Sequence, residues 1–419
     1  VQAKIYEANE HGIEIQLIDP DALYVVRKLR QAGFEAYIVG GSVRDLLTKN
    51  IPKDFDISTS ARPEQIKSLF GRNCLLIGRR FRLAHIRFGH KIIEVSTFRT
   101  GESEGELIVQ DNQWGTPEED VLRRDFTLNG LFYDPSNQTI IDYVGGWEDL
   151  RKHTLRSIGD PVIRFKQDPV RMIRLLKFQA RFGFSICPEA REALRLCREE
   201  LAKSSPARVL EEIFRMLESG SSYKFFHLLT DAGMMNMIFP ALTRFMNDNR
   251  EESVYHYLKG ADEMNLRNLK NPLDRGILAA CLVFPLLEHE VKRQFLNKDL
   301  IPNITEIIGI SSTVVRNFAL SSFSHFPRRI STAMNFIIAT QFRLTPPAIK
   351  KNTKPKLLRN KEFALALGFL KIRAIAFPEL MPTYIIWKDL YRSVDRSGDR
   401  RGHHHGPQHR HVGRNVPPK

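Results

Sequence analysis

The sequence predicts an α+β N-terminal domain, a mixed sheet with helices, followed by all-α domains. Two observations carry this. Short runs rich in β-branched and aromatic residues alternate with helical patterns as far as Trp147. Beyond Trp147 the apolar period changes from two to 3.6, and no convincing strand pattern returns. At 419 residues the chain is long enough for two or three domains with ample core.

The elements follow in order. Val1–Ile18 has no clear period and reads as an irregular lead-in without an apolar signal core. Asp19-Pro20 reads as N-cap and first residue of a helix carrying Ala22, Val25, Val26, Leu29 and Ala32, stopped by Gly33. Phe34–Val39 is a strand, and it runs into Gly40-Gly41. A short helical pattern, Ser42–Leu47, follows at once, and then Asp54-Phe55-Asp56.

That stretch holds the candidate chemistry. A strand, a glycine turn and a helix start form a phosphate cradle, because glycine lets the backbone approach an anion and helix-start N–H groups favour negative charge. Arg44 adds a guanidinium able to grip phosphate. Asp54 and Asp56, two apart on an extended chain, point to one face, where their repulsion is relieved by a cation. Oxygen-rich pairs of this kind suit Mg²⁺ shared with substrate phosphates. Either feature alone is usually a turn or a solvated edge; together in one unit they are the equipment of phosphoryl or nucleotidyl transfer.

The residues G-G-x-V-R-D followed by P-K-D-F-D resemble the nucleotidyltransferase motif of the bacterial poly(A) polymerases and the CCA-adding tRNA nucleotidyltransferases. The pattern departs at Thr48-Lys49-Asn50, where a glycine is expected. The resemblance implies a polymerase-β-like nucleotidyltransferase domain, with Asp54 and Asp56 as catalytic and metal-binding residues.

Further along, Ser60–Glu64 opens a helix that runs to about Phe70, and Leu83–Phe88 and Ile92–Phe98 form a hairpin about Gly89-His90. The resemblance makes Glu94 a supporting carboxylate on the second of these strands. The string Gly78–His85, GRRFRLAH, resembles the segment that marks bacterial poly(A) polymerases off from CCA-adding enzymes. Thr100–Trp114 is polar and reads as a mobile loop, and Glu118-Glu119-Asp120 begins a helix.

Arg123–Asn129, RRDFTLN, resembles the family's R-R-D-F-T-x-N motif. Arg124 offers donors to a triphosphate, while Asp125 and Asn129 hold ribose hydroxyls. The resemblance also implies Asp125 as the third essential acid. Ile140–Val144 is a strand closed by Gly145-Gly146. Asp168 before Pro169 is a good N-cap whatever its function. The family's E-D-x-x-R motif, here with Gln167 for Glu, implies that Asp168 and Arg171 also read the adenine edge, with Arg174 one turn on. Ser205–Glu218 is another helix, and Met234, Met235 and Met237 read as core filler. Resemblance spans roughly residues 21–240.

The expected organisation is a lead-in at 1–20, a nucleotidyltransferase domain at 21–147, a helical base-recognition neck at 148–220, a helical RNA-binding body at 221–395 and a basic disordered tail at 396–419. Net charge is +15, and residues 351–419 hold 15 Lys and Arg against 5 Asp and Glu, the footprint of a polyanion partner such as RNA. Lys350, Lys351, Lys354, Lys356 and Arg359 form a basic run, and His403–His405 carry no catalytic role. Four scattered cysteines without a C-x-x-C fit a reducing cytoplasm rather than a structural zinc site. No apolar stretch is long enough to span a bilayer. The expected activity is template-independent addition of AMP from ATP to RNA 3′ ends. The alternatives are CCA or A addition to tRNA, and a non-catalytic RNA-binding protein.

Overall fold

In a computed structural model the described residues are 2–78, 82–100, 114–249, 252–322, 326–345 and 355–399. Arg79–Phe81, residues 101–113 of the stretch read as a loop in the sequence, most of the basic run and the residues beyond Asp399 lie outside them.

Eight strands form one mixed sheet: β1 (Lys4–Tyr6), β2 (Ala36–Val39), β3 (Asp56–Thr59), β4 (Cys74–Ile77), β5 (Leu83–Phe88), β6 (Lys91–Thr97), β7 (Leu131–Asp134) and β8 (Thr139–Asp142). Their order is β1-β8-β7-β2-β3-β6-β5-β4. Every neighbouring pair is antiparallel except β3 and β6, which run parallel with Asp56 opposite Glu94 and Ser58 opposite Ser96. Tyr37, Phe98 and Phe132 pack at the centre with Val39, Val121 and Ile158.

Helix Pro20–Gln31 forms as the sequence expects. Asp19 accepts the Asp21 N–H at 2.8 Å, Pro20 sits in the first turn, and Ala22, Val25, Val26 and Leu29 are buried. Gly33 follows at φ +87°. The hairpin of β5 and β6 turns at Gly89, whose φ of +60° suits glycine at the first central position. Lys49 takes the left-handed conformation, φ +58°, at the place where a glycine was expected. Its N–H bonds the Leu46 carbonyl at 3.1 Å, and the next N–H, of Asn50, bonds the Asp45 carbonyl at 2.8 Å. These bonds hold the turn without glycine.

The lead-in is not wholly irregular. β1 pairs with the edge strand β8, and Tyr6 stacks on Trp147 with centroids 5.0 Å apart. Three residues are too few to display a period. Nor do strands end at Trp147: Thr154–Leu155 and Ser185–Ile186 pair in parallel over two residues each. Asp142, at the end of β8, accepts four backbone N–H groups, from Val144 through Trp147, at 2.9–3.1 Å. That single carboxylate starts helix Gly146–Arg151.

Two compact units divide the chain. The first holds the residues up to Met216 with Lys224–Ile238, and so contains the whole sheet and helix Val170–Phe182. The second holds Leu217–Tyr223 and the residues from Phe239 onward. It is helical, with Arg275–Gln294 carrying a buried stripe from Gly276 to Leu287. In its core, Arg373 donates to Gln341 and Thr345 at the end of helix Arg328–Leu344. The guanidinium also lies 4.6 Å from the Phe284 ring centroid, so a side-chain amide oxygen, a hydroxyl and a ring face stabilise a buried cation. Among the described residues no helix is long and apolar enough to cross a membrane. All four cysteines are buried and unbridged.

Candidate active site

Three loops at one end of β2 and β3, and one helix, build the site, all within the first unit. β2 ends at Val39 and the chain turns at Gly40, φ +72°, before helix Gly41–Leu47. A Cβ on Gly40 would sit 3.5 Å from Arg124 Nη1, and one on Gly41 would sit 3.4 Å from Arg44 Nη2. Two guanidinium groups therefore line the glycine turn.

Asp54 and Asp56 flank buried Phe55, and both carboxylates are turned outward as the alternation of an extended chain requires. Parallel pairing of β3 with β6 sets Glu94 beside Asp56. One row deeper, Ser58 and Ser96 share a hydroxyl hydrogen bond at 2.9 Å, and Arg124 Nη2 donates to Ser58 Oγ at 3.2 Å. Arg124 is aimed further by Asp120 at 3.0 Å, by the Asn129 carbonyl at 3.2 Å and by stacking on Phe132.

Asp125 is buried. Its carboxylate pairs with Arg174 at 2.7 Å and accepts from Asn129 Nδ2 at 3.0 Å and the Phe126 N–H at 2.8 Å. Burial alone would push its carboxyl up, but Arg174, Asn129, the Phe126 N–H and Arg171 together hold it below the usual carboxylate range. Asp125 in turn holds the Arg174 guanidinium in its charged form.

Arg44 is buried too. Its Nε and Nη2 both donate to Asp45, at 2.9 and 2.7 Å, and its Nη1 donates to Asn129 at 2.8 Å. It stacks on Phe182 and Phe178 at 4.7 and 5.4 Å. Part of the donor set assigned to phosphate is thus engaged inside the protein, joining the glycine turn to helix Val170–Phe182. That helix presents Arg171, Arg174 and Phe178 on one face, at i, i+3 and i+7. Arg171 Nη2 donates to the Arg123 carbonyl at 3.1 Å, and buried Arg164 donates to the Arg123 and Arg124 carbonyls at 2.9 and 3.0 Å. Asp168 accepts the Val170 N–H at 3.3 Å, as an N-cap does, and pairs with Arg208 at 2.7 Å.

The result is a cavity of about 340 Å³. Gly40, Gly41, Arg44, Asp56, Arg124, Asp125, Asn129, Asp168, Arg171 and Arg174 line it. Ten of the twelve residues singled out in the sequence therefore meet in one place. Asp54 and Glu94 lie outside the lining. Arg123 and Phe178 line it without having been assigned a role. Phe178 had a signal, its position two turns beyond Arg171; Arg123 lay inside a motif already quoted. A larger cavity, about 700 Å³, lies in the second unit among Phe245, Leu286, Val314 and Phe318. Glu290, Glu306 and Arg293 also line it, but no glycine turn and no cluster of arginines does.

Asp56 is exposed into a cleft whose walls still desolvate its carboxylate, and this, then Glu94, then Asp54 push the carboxyl up from 3.8 to about 6, against the pull of Arg124. Crowded, reluctant carboxylates are what a cation would relieve. Among the described residues no group of three or more His, Cys, Asp and Glu stands ready to hold a metal on protein ligands alone. Two carboxylates beside a cavity lined by arginines fit Mg²⁺, which takes one or two carboxylates and completes its shell with water and phosphate.

The shifted Asp56 has a consequence for stability. Between pH 3.8 and about 6 the folded chain keeps a proton that the unfolded chain has released. Stability conferred by that proton is lost as pH rises through this window. Asp56→Asn is therefore expected to raise the melting temperature of the metal-free protein at neutral pH and above, and the gain is expected to vanish at about pH 4. Thermal denaturation of both proteins across that range checks it.

The sequence matches the family described as "Poly A polymerase head domain" over residues 36–156 and "Probable RNA and SrmB- binding site of polymerase A" over residues 183–246. It is 37% identical over 391 residues to Poly(A) polymerase I of Escherichia coli O157:H7, covering 89% of this chain and 82% of the relative. A CCA-adding enzyme of Lactobacillus helveticus is 38% identical, but over 212 residues, half of this chain and 53% of the relative. Among solved structures, the Bacillus stearothermophilus CCA-adding enzyme in complex with CTP superposes with a TM-score of 0.60 at 25% identity, over 91% of this chain and 83% of that one. The fold is thus that of the nucleotidyltransferases, and with near full-length identity of this degree the chain belongs to the bacterial poly(A) polymerase family.

Proposed function

We propose that this protein is a template-independent polynucleotide adenylyltransferase. It transfers AMP from ATP to the 3′ end of RNA and releases pyrophosphate. The observation that carries the reading is the convergence of the glycine turn, Asp56 and the arginine cluster in one cavity, in a chain alike to Poly(A) polymerase I over most of its length.

On this reading the triphosphate lies on Gly40-Gly41, where no side chain keeps it off. Arg124, braced by Asp120 and Ser58, faces its oxygens. Arg174, held by Asp125, adds a second cation. Asp125 and Asn129 then fix the arginines as much as they meet the sugar. Asp168 and Arg171 read the adenine edge. The RNA 3′-oxygen bonds to the α-phosphorus, the bond to the β-phosphate oxygen breaks, and the hydroxyl proton is released. Asp54 and Asp56 would hold Mg²⁺, which when bound lowers the pKa of the attacking hydroxyl and neutralises charge on the leaving pyrophosphate. Glu94 supports Asp56 from the next strand. We further place the reaction in mRNA 3′-end processing in the cytoplasm, in keeping with four unbridged thiols.

CCA addition is the second reading, favoured by the shared head fold and the CCA-adding relatives. Supplying ATP and CTP separately to a generic RNA and to a tRNA lacking its CCA end decides between them. Runs of A on the generic RNA are expected. CTP incorporation on the tRNA alone would overturn the assignment.

A further inference from the structure

The string GRRFRLAH stood out in the sequence by its resemblance, yet its last member does not line the cavity. His85 lies on β5, and antiparallel pairing sets it opposite Glu94 of β6. Glu94 is in turn opposite Asp56 of β3. Asp56, Glu94 and His85 thus form one row across three adjacent strands. Neighbouring strands lie about 4.8 Å apart, and residues in register share a face of the sheet. The His85 Nε2 lies 3.3 Å from Glu94 Oε1. The imidazole is largely covered, at 21% exposed, whereas the Glu94 side chain is 47% exposed.

A half-exposed glutamate has several rotamers of similar energy, and electrostatic repulsion from Asp56 would swing it away. A ring with two torsions, fixed by its own strand, offers one oxygen of that carboxylate a polar partner. The other oxygen is left beside Asp56. We infer that His85 is a positioning residue for the acidic row: its Nε2 holds Glu94 alongside Asp56, so that the negative field at the Asp54 and Asp56 pair stays aimed at one point. The inference rests on the reading of that pair as a cation site.

The test is Mn²⁺ binding, followed by electron paramagnetic resonance on the full chain with a non-hydrolysable ATP analogue. His85→Ala is expected to weaken Mn²⁺ binding roughly fivefold, below the tenfold to hundredfold typical of a group touching a ligand directly. His85→Gln, which keeps an N–H near the position of Nε2, is expected to restore most of it. In assays, His85→Ala should raise the Mg²⁺ concentration for half-maximal rate while leaving the RNA KM unchanged. In a Glu94→Gln background, His85→Ala should change nothing further. A full effect in that background, or unaltered Mn²⁺ affinity in His85→Ala, would overturn the role given to His85. If the parent binds no Mn²⁺ that Asp54→Ala removes, the cation site itself falls, and His85 with it.

Discussion

Asp54→Ala is expected to lower AMP incorporation by about 10³-fold or more, equivalent to about 4 kcal/mol of lost transition-state stabilisation. RNA affinity is expected to hold. Asp54 is exposed and stands outside the lining of the cavity. Its removal opens no void, and it relieves repulsion on Asp56, whose carboxyl its charge helps to raise. The variant should therefore be no less stable than the parent, so loss of activity cannot be ascribed to unfolding. Single-turnover incorporation, together with RNA binding at two salt concentrations, separates the outcomes. Activity within tenfold of the parent would remove Asp54 from the chemistry.

Gly146→Ala is expected to cost about 3 kcal/mol or more, at the upper end for overpacking. A Cβ there would lie 2.2 Å from the Thr127 carbonyl oxygen and 3.0 Å from its carbon. Both are backbone atoms, and Thr127 is tied down by its own hydroxyl to Asp149 at 2.8 Å and by its N–H to the Arg156 carbonyl. Neither side can yield without moving Asp125 and Asn129, which flank Thr127 in the motif. Gly145→Ala is the contrast. Its φ is +79° and nothing lies within 4 Å of the added carbon, so the cost is the left-handed backbone alone, about 1–2 kcal/mol. Urea denaturation of the two variants should rank them in that order, and equal midpoints would refute the steric account.

The sequence made much of this legible because the signals were local. Asp19-Pro20 announced its helix, the Gly89 turn its hairpin, and the glycine pair and Asp56 their shared pocket. β7 was missed because Leu131–Asp134 is buried on both faces and shows no alternation. β1 was missed because it is three residues long. Arg44 was read as a phosphate grip because it follows the glycine turn, but its neighbour Asp45 and the distant Phe182 decide where it points. The row from Asp56 to His85 was invisible for a different reason. Strand order and register are properties of the sheet, and no spacing along the chain encodes them.

The parallel pairing of β3 with β6 bears on how the protein is made. Ser58 and Ser96 meet across a sequence separation of 38, and the chain between them includes β4 and β5. Such a crossover closes only after both ends exist, and long loops close late. A nascent chain therefore carries its acidic pair before it can assemble the neighbouring glutamate, and the row closes only once β6 has been made.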